Sequence, residues 1–171
     1  MNKLVTHLII VIVPLIMSNS LHMWLVKKSW LSFLNVPVSE AQFGKNKTWR
    51  GFIFLVLVNS FLESVVLQIF SISVAHAAWL GASLGFSYAL FELPNSFLKR
   101  RLGIASGETH SEYGFLFKAI DKSDSAFGVS LVYYLLGYVD AQLAFLLFLS
   151  SCLTHVVLSW FLVRIKIESS F

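Results

Sequence analysis

Nearly all the charge in this chain lies in two polar stretches set between hydrophobic runs. The first, FGKNKTWRG over Phe43–Gly51, places Lys45, Lys47 and Arg50 within six residues, with Thr48 as a hydroxyl donor and Gly44 and Gly51 flanking them. Glycine lets backbone approach an oxyanion closely, and arginine grips phosphate oxygens through two parallel N–H groups. The second stretch runs from Glu92 to Gly128. It contains SFLKRRLG, with Ser96, Lys99, Arg100 and Arg101, and then IDKSD, in which Asp121 and Asp124 stand three residues apart. On a helix that spacing puts both carboxylates on one face. Such a pair suits Mg²⁺, which takes one or two carboxylates together with phosphate oxygens and waters. Cations beside a carboxylate-held divalent metal are what binding a polyphosphate requires.

Each cluster has a second reading on local chemistry alone. Gly51 opens an apolar run, so Lys47–Gly51 is expected at a helix N-terminus, where the dipole favours an anion. The GxxxxGK[ST] spacing of a Walker A loop is absent. The same cations and Trp49 suit anchoring at the headgroup layer equally well, and the Asp pair is also an ordinary acid-rich helix start. Lys27, Lys28, Arg164 and Lys166 flank apolar runs without a motif. They read as orientation signals, each attracted to anionic headgroups by about 1 kcal/mol. His110 reads as a loop residue. His7, His22, His76 and His155 have no ligand spacing, and the single cysteine, Cys152, reads as packing, so no disulfide or Cys-based metal site is expected.

The elements that must position these loops are membrane helices. The chain has 171 residues, 57% hydrophobic and 13% charged, with mean hydropathy +0.75. A water-facing domain carries about a quarter charged residues, so this is an all-α integral membrane protein forming a single transmembrane domain over 1–171. Five spans are expected, near 4–26, 52–74, 77–93, 125–139 and 141–163, with charged loops at 27–51 and 94–124. The first, third and fourth differ in character. The first contains Pro14 and no small-x-small cleavage site follows it, so it is read as retained; 77–93 and 125–139 are short. With five spans, twelve of the thirteen Lys and Arg residues fall on one side, leaving only Lys3 opposite. This positive-inside bias places the N-terminus outside and both loops on the cytoplasmic face of the inner (plasma) membrane. Pro94 is expected to end the third span, leaving SFLKRR as a short interfacial helix stopped by Gly103. Gly81-xxx-Gly85, with Ser87 and Ala89, reads as a small-residue packing face. Glu63 falls inside a span and is read either as extending a polar cavity or as a structural hydrogen-bonded group.

Taken together, the loops resemble the CDP-archaeol synthase family, small relatives of phosphatidate cytidylyltransferases. The resemblance rests on Gly44–Gly51 (G-x-x-K-T-W-R-G), on Glu92 with Ser96–Gly103 (S-F-x-K-R-R-L-G), and on Ile120–Asp124 leading to Gly128. It covers roughly half the chain. Glu92 stands where the family usually has Asp, and Phe54 and Leu55 replace glycines common early in the second span. The resemblance implies transfer of a cytidylyl group from CTP to a membrane lipid phosphate, with Mg²⁺ as cofactor and pyrophosphate released. It implies Lys47, Arg50, Lys99, Arg100 and Asp124 as catalytic residues, and Asp121, Asp124 and Glu92 at the metal. Lys45, Thr48, Gly51, Ser96 and Arg101 would hold nucleotide phosphates. Nucleic acid is not an expected partner. The rival reading is a non-catalytic membrane protein binding anionic lipids or a partner, which accounts for the cations but not for the Asp pair below Glu92. A small transporter built on Glu63 fits less well, since no inverted repeat is evident.

Overall fold

In lipid, backbone polar groups have no outside partner, so long apolar runs satisfy their hydrogen bonds internally as helices. The computed structural model describes residues 3–106, 108 and 114–164, and among them every named element is helical. α1 spans Lys3–Lys27, α2 Glu40–Phe43, α3 Trp49–Gln68, α4 Val74–Arg101, α5 Gly114–Asp121, α6 Asp124–Leu135 and α7 Ala141–Arg164. Four of these, α1, α3, α4 and α7, are long and apolar enough to cross a membrane. Leu57, Phe61 and Leu153 on α3 and α7 are about two-thirds exposed, an arrangement that only a lipid surround makes favourable.

α3 and α4 form the tightest pair, and the glycines explain why. A Cβ on Gly81 would sit 2.5 Å from the Asn59 carbonyl oxygen, and one on Gly85 would sit 2.5 Å from that of Leu55. The packing role read from Gly81-xxx-Gly85 therefore holds. Asn59 Nδ2 donates to the Gly81 carbonyl at 2.9 Å, and Ser60 Oγ to that of Ala78 at 2.8 Å. These bonds staple the two helices where hydrophobic driving force between apolar surfaces is absent. Ser18 of α1 joins the same network, donating to Asn59 Oδ1 at 3.3 Å. α6 lies against α4 at Gly128, whose missing side chain leaves room for the Phe91 ring.

Three expectations are corrected. α4 continues through Pro94 to Arg101 as one helix of 28 residues, so SFLKRR extends the membrane helix and is not a separate element. Pro94 lacks the N–H that would reach the Leu90 carbonyl, so one ladder bond is lost while the helix continues on either side; Ser96 Oγ donates back to the Glu92 carbonyl at 2.9 Å. The stretch 125–139 is helical only to Leu135: α6 has 12 residues, about 18 Å at 1.5 Å per residue, shorter than a hydrocarbon core. Finally, Asp121 and Asp124 do not share a helix. Asp121 ends α5 and Asp124 begins α6. Ser123 Oγ donates to the Ala119 and Ile120 carbonyls at 2.9 and 3.2 Å, capping the end of α5 in place of a continuing helix.

Candidate nucleotide and metal site

The first loop is held as a short brace across the mouth of the helices. Val38 N–H donates to the Lys47 carbonyl at 2.8 Å and Trp49 N–H to that of Val36 at 2.9 Å, a two-bond antiparallel bridge. It fixes Lys47 and Thr48 immediately before α3, and Thr48 is the N-cap without spending its hydroxyl on a capping bond. Lys47–Gly51 therefore occupies a helix N-terminus, as the apolar run after Gly51 requires. Gly44 has φ +82°, and a Cβ there would meet Ser106 Oγ at 2.2 Å, so the loop lies close against the chain following α4.

Behind this brace is a cavity of about 530 Å³. Lys45, Lys47, Thr48, Arg50, Gly51 and Glu92 all line it. Its volume is in the range of a small-molecule site. Arg50 is buried: one guanidinium N–H donates to the Trp30 carbonyl at 3.2 Å, while Nε has no partner among the described residues. An unpartnered buried donor in a cavity wall suits an anionic guest. Lys47 Nζ pairs with Glu92 Oε2, tying the loop to α4. Burial works against the Lys47 charge, but the charge and hydrogen bond of Glu92 outweigh it, with Asp124 and Asp121 adding to the effect. The ammonium pKa is raised above its usual value.

The carboxylates stand beside this cavity, at the junction of α4, α5 and α6. Asn95 Nδ2 donates to Asp121 Oδ1 at 2.6 Å and to Asp124 Oδ2 at 3.1 Å. Lys99 Nζ lies 2.6 Å from both Asp121 oxygens. Asp124 also accepts from the Ser125 N–H at 2.6 Å. Burial pushes the Asp124 pKa up to about 7, and the nearby Glu92 charge adds to this, against the opposing effects of Asn95, Ser125 and Lys47. A carboxylate in such a place gains from a cation.

Among the described residues no three His, Cys, Asp or Glu side chains come close enough together to hold a metal. Glu92 pairs with Lys47 and Asp121 with Lys99, while Asn95 stands between Asp121 and Asp124. Asn95 Oδ1 is buried without a partner. The Asn95 amide nitrogen, not its oxygen, faces the two carboxylates, so the oxygen donors here that suit Mg²⁺, a hard cation served by oxygen ligands, are those of Asp121 and Asp124.

Other expected residues are arranged differently. Arg100 donates to Ser106 Oγ at 2.8 Å, and the Arg101 guanidinium lies 5.1 Å over the Phe97 ring at the surface. Ser96 is turned back to its own helix. Glu63 is fully buried, does not line the cavity, and neither of its oxygens has a partner among the described residues. His110 and Lys166 lie outside the described residues. Two contributors went unread in the sequence, Asn95 between the carboxylates and Asn19 of α1 in the cavity wall; His22 of α1, read there only as lacking ligand spacing, lines the same wall. Asn95 follows Glu92 by three residues on the same helix, a spacing that shares a face. Asn19 and His22 are polar residues within an otherwise apolar span, which is itself a functional signal.

The chain is similar to a CDP-archaeol synthase of Staphylothermus marinus, with 41% identity over 97 residues. That stretch is 56% of this chain and 49% of the relative, so the match spans about half of that protein. No family model matches the chain. No solved structure matches it either. The resemblance that the loop motifs carry to the CDP-archaeol synthase family is thus supported by a curated relative.

Proposed function

We propose that this chain is a membrane-embedded CTP:lipid-phosphate cytidylyltransferase that converts a lipid phosphate to its CDP-activated form and releases pyrophosphate. The observation that carries this reading is the juxtaposition of two sites. A cavity lined by Lys45, Lys47, Thr48 and Arg50 adjoins a carboxylate pair bridged by Asn95, with Arg50 at the start of α3 and Asn95 in the last turns of α4, two helices apolar enough for a bilayer. The relative named CDP-archaeol synthase supports the same class.

In this reading a phosphate oxygen of the lipid attacks the α-phosphorus of CTP. A new P–O bond forms, the bond from the α-phosphorus to the oxygen bridging to the β-phosphorus breaks, and that oxygen leaves with the electron pair as part of pyrophosphate. The attacking oxygen is already ionised near pH 7, so no base is needed to remove a proton. Both reactants are anions, and the protein's work is positioning and charge neutralisation. Lys47, Arg50 and Thr48 hold the phosphate chain at the N-terminus of α3. Lys99, beside Asp121, would supply positive charge to the leaving group, and Arg100, bonded to Ser106, would hold the chain after α4 against the loop at Gly44. Asp121 and Asp124, with Glu92, are the residues that would hold Mg²⁺, which would supply positive charge to the phosphate oxygens, and Asn95 positions the two Asp carboxylates. The site faces the cytoplasm of a plasma membrane crossed five times, the short crossing being 125–139, in which α6 is extended by the turn that follows it and sheltered by α4 and α7. The twelve-to-one bias of cations supports that orientation.

The test is incubation of the purified protein in detergent with α-labelled CTP, Mg²⁺ and a panel of lipid phosphates, followed by organic extraction. Label entering the lipid phase only with Mg²⁺ and one acceptor class is the expected result. Folded protein that neither binds CTP nor transfers label to any acceptor would leave the anionic-lipid scaffold as the better account.

A further inference from the structure

The two aspartates are separated by a turn, Lys122–Ser123, and α7 holds that turn at two points. His155 Nδ1 donates to the Lys122 carbonyl at 3.2 Å. The Lys122 ammonium donates to Ser159 Oγ, which is buried. His155 and Ser159 stand four residues apart on α7, so they meet the turn from one face of that helix. The turn lies where the ladder of α5 stops and that of α6 begins. Carbonyls at a helix end have no partner further along their own helix, and here His155 supplies one from a different helix.

A carbonyl can only accept, so the proton in that bond belongs to His155 Nδ1, and Nε2 is left as the acceptor for the Tyr88 hydroxyl at 3.3 Å. Tyr88 is buried on α4. Asn95, seven residues further on, is two helical turns along the same face and is buried as well. α4 therefore reaches the turn by two routes. Asn95 holds the carboxylates directly, and Tyr88 acts through His155 on the backbone between them. The result is a closed ring of contacts through α4, α7 and the 121–124 turn. What fixes that turn also fixes the separation of two carboxylates carried by different helices. Mg²⁺ demands near-ideal geometry at about 2.0–2.1 Å from each oxygen, so a loosened turn costs affinity.

We propose that His155 and Ser159 of α7 are positioning residues for the divalent-cation site: by holding Lys122 at its carbonyl and its ammonium, they set the separation of the Asp121 and Asp124 carboxylates. This rests on the reading of that pair as the place where Mg²⁺ binds. His155 acts through the backbone of Lys122 and contributes no ligand of its own. Its donor at Nδ1 is the essential group, and its contact with Tyr88 serves to orient the ring.

The test is a titration of the purified full chain in detergent with Mn²⁺, a paramagnetic substitute for Mg²⁺ whose free and bound forms are counted by electron paramagnetic resonance. Thermal midpoints are measured on the same samples with a chelator. His155→Ala removes the donor and is expected to raise the Mn²⁺ Kd by about 10-fold or more, as loss of groups that orient metal ligands commonly does. His155→Asn places an amide N–H where Nδ1 stands and is expected to bind Mn²⁺ as wild type does. His155→Gln carries its amide at the level of Nε2, keeps only the Tyr88 end, and is expected to bind as weakly as His155→Ala. A lower thermal midpoint in His155→Ala with the Mn²⁺ Kd unchanged overturns the proposal, since the histidine then only holds helices together. Equal Mn²⁺ binding by the Asn and Gln variants overturns it too, and that comparison stands even if the alanine variant does not fold. Asp124→Asn separates this proposal from the reading beneath it. If that variant loses Mn²⁺ while His155→Ala keeps it, the positioning role alone falls. If Asp124→Asn binds Mn²⁺ as tightly as wild type, the carboxylate pair is not the metal site and both fall.

Discussion

Asp121 and Asp124 end and begin two different helices, yet the side-chain amide of Asn95 donates to both, at 2.6 and 3.1 Å. The pair is therefore assembled by a third residue on α4, and its geometry depends on how α4 continues beyond Pro94.

Asn95→Ala removes that bridge and the buried amide oxygen beside it. Residues orienting metal-binding side chains are commonly worth 10–100-fold in affinity or activity. Turnover is expected to fall by about that factor, with a corresponding rise in the Mg²⁺ concentration for half-maximal rate. A lower rate with unchanged Mg²⁺ dependence would remove Asn95 from the metal site.

Asp124 carries the sharpest pH prediction. Its folded pKa, about 7, lies above its ordinary value of 3.8. Between those values the folded state binds a proton that the unfolded state has lost, so metal-free stability falls as pH rises through that window. Thermal unfolding with a chelator at pH 5 and pH 8 checks it: wild type should be less stable at pH 8, and Asp124→Asn should lose most of that difference. A recovery of about 1 kcal/mol is roughly 2–4 °C for a chain of this size. The same variant is expected to have no measurable transfer activity, while remaining inserted.

Lys47 and Glu92 are coupled across the first loop and α4. Either Lys47→Met or Glu92→Gln leaves a half-buried charge without its partner, and the double variant leaves neither. A double-mutant cycle on unfolding should give a coupling of about 0.5–3 kcal/mol. Additive effects would show that the pair is not maintained in the bilayer or detergent. Glu92→Asp, shortening the reach to Lys47, is expected to weaken the coupling without abolishing it.

Gly81→Ala tests the helix pairing. Alanine is favoured over glycine in a helix interior by about 1 kcal/mol. Here the new methyl meets the Asn59 carbonyl oxygen and the Glu63 Cβ at 2.5 and 2.6 Å, contacts that backbone cannot yield cheaply. Overpacking costs about 1–3 kcal/mol, so the net effect is destabilising and the midpoint of unfolding should drop by several degrees. Gly103→Ala is a control against loss of glycine alone in a place without crowding, although its φ of +72° brings a backbone penalty of its own.

What the sequence determined by itself was the solvent of each segment. Runs with almost no charge must be helices in lipid, and Gly81 and Gly85 at a spacing of four must meet another helix, because these follow from composition and period alone. The clustering of Lys45, Lys47, Thr48 and Arg50 was equally legible, since they are neighbours in the chain. The tertiary structure decided everything that joins distant segments. It carried α4 through Pro94 as one helix, and it ended α5 at Asp121, with Ser123 bonding back to that end, before α6 begins at Asp124. It also brought Asn95 between those carboxylates and put Asn19 and Tyr88 on one wall. No local periodicity encodes such meetings, which arise only when helices from different parts of the chain pack against one another.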